Sequence, residues 1–354
     1  MKNVLTVVGA RPQFIKAAMI SRQMRNSNRL KEIIVHTGQH YDANMSEVFF
    51  QELGIPQPDF HLGISGGGHG EMTGKMMCEL EPLFSRVQPD LVLVYGDTNS
   101  TLAAALVACK LHIPVAHVEG GLRNHDLSIP EEVNRVVTDR VSRLVFYPTD
   151  RALENLLAEG FEGFGCRLVR TGDLMYDAAL CFRPPAGRPA QSYVLLTLHR
   201  ASNTEPESLP EIVSALNEIA CEGKLIFPVH PRTRGALSRQ GLTLHPNIEQ
   251  LEPVGYLEML SLLDGCEKVI TDSGGLQKEA YAYGKTGLVL MEHTPWEELV
   301  EEQYLRTTAI KQTAILENWR KVSGLKPSGR LLYGDGNSAR MVIQALEEFL
   351  SSSL

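Results

Sequence analysis

The segment His117-Val118-Glu119-Gly120-Gly121-Leu122-Arg123 is followed closely by Pro130-Glu131-Glu132-Val133-Asn134-Arg135. Three carboxylates, a histidine and two arginines therefore fall within one expected strand–loop–helix unit, just past the apolar run 113–118. Ligands of open α/β sheets bind outside the carboxyl ends of the strands, which is where such a cluster would lie. Crowded carboxylates repel one another, so at least one gains affinity for a proton. The chemistry this favours is proton transfer, with one carboxylate as base and another as acid. The competing reading is a solvated loop and a helix start, in which Glu131 and Glu132 merely complement the helix dipole. The cluster alone leaves both open.

Other apolar runs also end in groups that can do chemistry. Tyr95-Gly96-Asp97-Thr98 closes one of them. Asp97 in that place commonly caps the next helix, yet it lies one strand from Glu119 and is a candidate third carboxylate. Gly9-Ala10-Arg11-Pro12-Gln13-Phe14-Ile15-Lys16 is not the GxGxxG pattern, so a dinucleotide cofactor is poorly supported. A glycine turn entering a helix with Arg11 and Lys16 is either an anion site or a plain turn with two solvated cations. Gly66-Gly67-Gly68-His69-Gly70 reads as a lid or as a simple linker. His199 and His230 each follow a strand, an arrangement more often structural than catalytic. The more specific phosphate signal is Thr271-Asp272-Ser273-Gly274-Gly275-Leu276-Gln277-Lys278-Glu279. There the amides of Ser273, Gly274 and Gly275 would cradle a diphosphate, and Glu279 one turn later could accept bonds from a ribose.

These residues need a scaffold, and the hydrophobic pattern supplies one. Short β-branched runs alternate with longer helical patterns, which predicts parallel sheets covered by helices on both faces. Strands are expected over 4–8, 32–36, 91–95, 114–118, 144–147 and 168–171, then over 193–198, 225–229, 247–251, 268–271 and 287–291. The proline-rich stretch Arg183-Pro184-Pro185-Ala186-Gly187-Arg188-Pro189-Ala190 reads as a linker. The expected organisation is α/β: a Rossmann-like domain over 1–182, a linker over 183–190, a second over 191–336, and a terminal helix over 337–354 returning across the hinge. The two halves are expected to face each other across a cleft.

At 354 residues the chain suits two domains rather than one core. A formal charge of −8 argues against nucleic-acid and anionic-membrane partners, which call for a basic surface. No run approaches the ~18 apolar residues that span a bilayer, and the short apolar run after Met1 reads as a first buried strand. Six dispersed cysteines without a CxxC pair suggest reduced core thiols in a cytoplasmic, metal-free protein.

Taken together, Gly9-Ala10-Arg11-Pro12, Gly96-Asp97-Thr98, the two segments over 117–123 and 130–135, His199-Arg200 and Asp272-Ser273-Gly274-Gly275 resemble the non-hydrolysing UDP-N-acetylglucosamine 2-epimerases. The likeness runs in order along nearly the whole chain. It implies the GT-B fold, a homodimer, a UDP-sugar substrate, and inversion at C2 between UDP-GlcNAc and UDP-ManNAc without metal or nicotinamide. It also implies elimination of UDP to a 2-acetamidoglucal, then re-addition after a proton returns to the opposite face. Asp97, Glu119 and Glu131 match the family's catalytic carboxylates, and His199 matches its histidine near the diphosphate. Arg11, Lys16, Ser273, Gly274, Gly275 and Glu279 match its UDP-binding positions.

The chain also departs from that pattern. Gly120 stands where the family usually has Ala, and Glu292 where many members have an Arg, which puts a phosphate contact from the segment 292–298 in doubt. The segment His36-Thr37-Gly38-Gln39-His40-Tyr41-Asp42-Ala43-Asn44-Met45 and His199-Arg200-Ala201 look more like the branch containing epimerases of UDP-2,3-diacetamido-glucuronic acid. A uronate needs a cation near C6, for which Arg123, Arg135 and His69 are candidates. A hydrolysing 2-epimerase and a GT-B glycosyltransferase are the remaining alternatives.

Overall fold

Apolar runs become covered parallel strands. In the computed structural model, which describes residues 1–39, 52–185 and 192–352, the first run lies in β1 (Lys2–Val8), whose last five residues are buried. It is joined by β2 (Leu30–His36), β3 (Phe60–His61), β4 (Leu91–Tyr95), β5 (Val115–Val118), β6 (Leu144–Tyr147) and β7 (Arg167–Arg170) in an all-parallel sheet of order β3-β2-β1-β4-β5-β6-β7. A second parallel sheet has β8 (Tyr193–Thr197), β9 (Lys224–Pro228), β10 (Ile248–Leu251), β11 (Lys268–Thr271), β12 (Thr286–Val289) and β13 (Leu305–Thr307), in the order β10-β9-β8-β11-β12-β13.

By contact density the chain forms two units, Met1–Ala178 with Leu331–Leu354, and Ala179–Arg330. Each sheet reverses its winding beside its first strand, between β1 and β4 in one unit and between β8 and β11 in the other. Loops leaving such neighbours diverge to opposite faces and open a crevice at the strand ends. All but two of the strands were expected. The exceptions, β3 and β13, are edge strands of two and three residues, too short for any periodicity to show. Residues 40–45 of the branch-like segment and 186–190 of the expected linker lie outside the described residues.

Each sheet is covered on its faces by helices. In unit 1, Leu5, Val7, Val92 and Val94 pack with Met76, Leu80, Phe84, Ala104 and Ala108. In unit 2, Leu196, Leu225, Phe227, Ile270 and Leu288 pack with Ile212, Leu216 and Ile315. Each such Leu or Ile contributes roughly 1.5–3 kcal/mol by leaving water, so both frames are rigid enough to hold strand-end loops. The cysteines correct one expectation. None of the six forms a disulfide, but only Cys266 is buried, while Cys78, Cys109, Cys181 and Cys221 are exposed. In the helix His69–Val87, for example, Met76, Leu80, Leu83 and Phe84 fill the inward stripe and Cys78 falls outside it.

The terminal helix Ser338–Ser352 belongs to unit 1 and packs on the helix Arg11–Met24. Its start is held by Asp177, which accepts from Ser338 Oγ at 2.8 Å and from the Ala339 amide at 3.0 Å. Burial pushes this carboxyl up to about 6, Asp173 adds to the rise, and the two donors only partly offset it. An unfolded Asp titrates near ~3.9, so the folded chain binds the extra proton between these values and loses stability as pH rises through them. The two-unit shift corresponds to at most about 3 kcal/mol. Asp177→Asn carries no charge, so its stability relative to wild type should improve by up to that amount between pH 4 and pH 7. Urea unfolding at both pH values checks this, and a gap that does not move with pH would remove the assignment.

Candidate active site

The crevice of unit 1 collects most of the expected residues. β4 ends at Tyr95, Gly96 turns with φ of 60°, and Asp97 follows. Thr98, not Asp97, caps the helix Asn99–Lys110, its hydroxyl accepting from the Thr101 amide at 3.2 Å. Asp97 is left partly exposed, with its carboxylate bonded to the Arg135 guanidinium. One strand over, Glu119 follows β5 with φ of 68°, a left-handed conformation uncommon for a residue with a side chain. Its carboxylate is bonded to Lys16, and both side chains are largely buried. Gly96 separates the two pairs closely: a Cβ there would sit 3.2 Å from Glu119 Oε2 and 3.4 Å from Lys16 Nζ.

Two polar chains tie these loops together. Gln13 Nε2 donates to the Tyr95 carbonyl at 2.9 Å, while its Oε1 accepts from the Gly9 and Ala10 amides at 2.8 and 3.1 Å. The amides of the first turn are thus directed at Gln13 and are not offered to a ligand. Arg11 is exposed at the helix start, whereas Lys16 is turned inward onto Glu119. On the other side, Asn134 Nδ2 donates to the Asp97 carbonyl at 2.8 Å and to Asn99 Oδ1 at 3.2 Å. Asn99 Nδ2 in turn lies 3.2 Å from His69 Nδ1. His69 is exposed and opens the helix His69–Val87, so the glycine-rich stretch runs straight into a helix start.

The helix Pro130–Val141 sorts the two adjacent glutamates. It turns a polar stripe inward, with Glu132, Asn134, Arg135, Thr138 and Asp139 buried, and leaves Val133 exposed. Glu131 is exposed in the first turn. Glu132 accepts from the Asn124 and His125 amides, both at 2.9 Å, and from Arg135 Nη1 at 2.6 Å. Burial works against its charge, but these donors outweigh it and hold the carboxyl below its ordinary range. Glu132 therefore anchors the loop, while Glu131 keeps its access to solvent.

Arg123 is placed differently from a substrate contact. Its side chain is 1% exposed, with Nη1 2.8 Å from Asp139 and Nε 2.6 Å from Glu159. It crosslinks the sheet edge from within. The Gly120 departure has a packing reason, because a Cβ there would strike Val145 and come within 2.5 Å of Asp139 Oδ1.

In unit 2, Asp272 is wholly buried at the end of β11 and accepts from the His199 amide at 2.9 Å and the Arg200 amide at 2.8 Å. His199 Nδ1 lies 3.2 Å from the same carboxylate, which fixes the ring while its side chain stays 41% exposed. The His230 ring is 5.8 Å away, and its Nδ1 accepts the Arg232 amide at 3.1 Å. Ser273 caps the helix Gly274–Ala282, with Gly274 and Gly275 as its first residues. First-turn amides have no intrahelical acceptor, so this end suits an anion. Glu279, one turn on, is only 5% exposed.

The segment over 292–298 supplies a clamp that sequence reasoning missed. Trp296 Nε1 donates to the Gly274 carbonyl at 3.0 Å, and Lys278 Nζ sits 4.0 Å from the indole centroid. Among the described residues, no group of three His, Cys, Asp or Glu side chains is arranged to hold a metal, and no helix is long and apolar enough to cross a membrane.

Comparison with known proteins accords with this geometry. Residues 22–347 match the family model described as UDP-N-acetylglucosamine 2-epimerase. The UDP-2,3-diacetamido-2,3-dideoxy-D-glucuronate 2-epimerase of Pseudomonas aeruginosa is 47% identical, over 97% of this chain and 99% of that protein. The crystal structure of Methanocaldococcus jannaschii UDP-GlcNAc 2-epimerase in complex with UDP-GlcNAc and UDP is 38% identical with a TM-score of 0.89, covering 98% of this chain and all of that one. A glycosyltransferase, VinC, shares the fold at 15% identity and a TM-score of 0.52, as expected of a GT-B architecture. Such likeness at these identities and lengths goes beyond a common fold: the chain belongs to the UDP-N-acetylglucosamine 2-epimerase family.

Proposed function

We propose that the protein inverts C2 of a UDP-linked 2-acetamido sugar without hydrolysing it. One observation carries this reading: two carboxylates leave the ends of neighbouring strands, Asp97 after β4 and Glu119 after β5, each on its own cation, Arg135 or Lys16. The C2 proton beside an acetamido group is weakly acidic, so its removal needs the C1–O bond to break with it. A carboxylate takes the proton, UDP leaves with the C1–O electron pair, and a 2-acetamidoglucal remains. UDP then adds back to C1 while a carboxylic acid returns a proton to the other face of C2. Asp97, Glu119 and Glu131 are the proposed proton-transfer groups. Arg11, Ser273, Gly274 and Gly275, with His199 and His230, would stabilise the departing diphosphate. Glu279 is the proposed ribose contact.

UDP-GlcNAc to UDP-ManNAc is the family's named reaction. A second sugar is favoured by a specific observation, since the diacetamido-glucuronate epimerase is 47% identical and the M. jannaschii UDP-GlcNAc enzyme 38%. Of the candidate cations for the uronate carboxylate, Arg123 is buried on Asp139 and Glu159, and Arg135 is bonded to Asp97 and Glu132. His69, exposed and linked to Asp97 through Asn99 and Asn134, is the one we favour, as a hydrogen-bond donor through Nε2. Homodimeric assembly in the cytoplasm is part of the same proposal and rests on the family resemblance.

Incubation with each UDP-sugar, followed by proton NMR of the products, tests the reading. UDP-ManNAc or the C2 epimer of the uronate would support it and select the substrate. Free UDP with a reducing sugar would point to a hydrolysing enzyme, and no change in either sample would overturn the proposal.

A further inference from the structure

We propose that His117 is a positioning residue for the C2 chemistry, its buried ring bonded at both nitrogens and holding the Asp97 and Glu119 loops in register. His117 lies on β5, is 0% exposed, and faces an acceptor on each side. Its Nε2 is 2.7 Å from the Gly96 carbonyl oxygen, and its Nδ1 is 2.7 Å from Asp139 Oδ1. A carbonyl oxygen only accepts, so Nε2 carries a hydrogen. Asp139 also receives the Gly121 amide at 3.0 Å and Arg123 Nη1 at 2.8 Å, both on Oδ2. Burial opposes its charge, yet His117, Arg123 and the Gly121 amide together keep the carboxyl below its ordinary range. Nδ1 and Asp139 Oδ1 are then joined through the one hydrogen between them.

The groups around this pair come from three elements. Helix Pro130–Val141 contributes Asp139, the loop after Glu119 contributes Gly121 and Arg123, and the end of β4 contributes only the Gly96 carbonyl. The Cys166 thiol, whose pKa responds to the charge of Asp139, is pushed up to about 12 by burial first and by that charge second, so it stays neutral.

The arrangement matters because of what it grips. Gly96 precedes Asp97, and Glu119 and Gly121 flank the turn two and four residues beyond His117. Gly96 and Glu119 both sit at positive φ, of 60° and 68°, and the Gly121 amide points at Asp139. One doubly bonded ring therefore fixes the peptide entering Asp97 relative to the loop leaving Glu119. Loss of either bond would release one of these two grips.

This inference rests on the epimerase reading for its kinetic arm alone. The first arm records side-chain nitrogen NMR of the full-length protein, labelled at histidine, from pH 6 to pH 9. The ring of residue 117 should show a hydrogen-bonded proton on Nε2, identified by its disappearance in His117→Gln. Should that variant fail to fold, contacts from the Nε2 proton to the Asp97 amide identify the ring in the wild type. The second arm compares kinetics. His117→Gln should lower kcat about a hundredfold, as loss of alignment at a reacting centre does, with KM changed less than about threefold. A ring without a hydrogen on Nε2 would overturn the proposal, and so would a kcat within about threefold of wild type, or a KM that rises in step with the fall in kcat. Absence of turnover by wild type would count against the epimerase reading and leave the protonation result standing by itself.

Discussion

Glu119→Gln should lower kcat by about 10³-fold, within the range that general acid–base groups contribute, and leave KM within about threefold. An amide occupies the same volume and can still accept a hydrogen bond from Lys16, but it cannot take a proton from carbon or return one. Glu119 is the stronger test of the paired carboxylates because its surroundings leave so little freedom. It sits at φ of 68°, and its carboxylate is bonded to Lys16 beside Gly96, where a Cβ would come within 3.2 Å of it. Asp97→Asn should act in the same direction, since the carboxylate on Arg135 is the other member of the pair. Steady-state kinetics on the sugar that turns over, with a melting curve to show that the variant is folded, measures both. A Glu119→Gln enzyme within tenfold of wild type would mean that this carboxylate transfers no proton at C2.

The second large effect is on stability. Asp139 is 0% exposed and receives His117, Arg123 and the Gly121 amide. Asp139→Ala removes the negative partner and leaves those donors facing a void. Breaking a buried ion pair from one side costs about 3–5 kcal/mol, because the charge left behind stays buried without compensation. The urea midpoint should fall accordingly, with the slope unchanged. By contrast, replacing Glu71, whose pair with Lys75 lies on the surface, should leave the midpoint where it is. A shift for Asp139→Ala no larger than that for the surface control would contradict the buried network.

Much of the site was legible because strand ends advertise themselves. Apolar runs that stop at Gly96-Asp97, Glu119-Gly120 and Asp272-Ser273 mark where a parallel sheet releases its chain, and the structure puts those residues directly after β4, β5 and β11, of which β4 and β11 border the switch points. What stayed hidden was the inner support. The helix Pro130–Val141 looked like a solvated helix start, yet Glu132, Arg135 and Asp139, spaced by three and four residues, form its buried stripe. That spacing was visible and would have separated Glu132 from the exposed Glu131. Arg123 carried no such signal, since its partners Asp139 and Glu159 lie 16 and 36 residues away. Gln13 and Trp296 were unreadable for the same reason: each side chain bonds to a backbone carbonyl far away in sequence. Sequence pattern reports which face of an element is apolar, and long-range polar pairing leaves no trace in it.

The central claim is that a proton leaves C2 and another returns. Running the reaction in deuterium oxide and reading C2 by proton NMR and mass spectrometry tests it most directly. The account predicts one deuterium at C2 of the epimerised product, with loss of the H2 signal and a mass gain of one unit. An epimer that keeps its original hydrogen at C2 would contradict it.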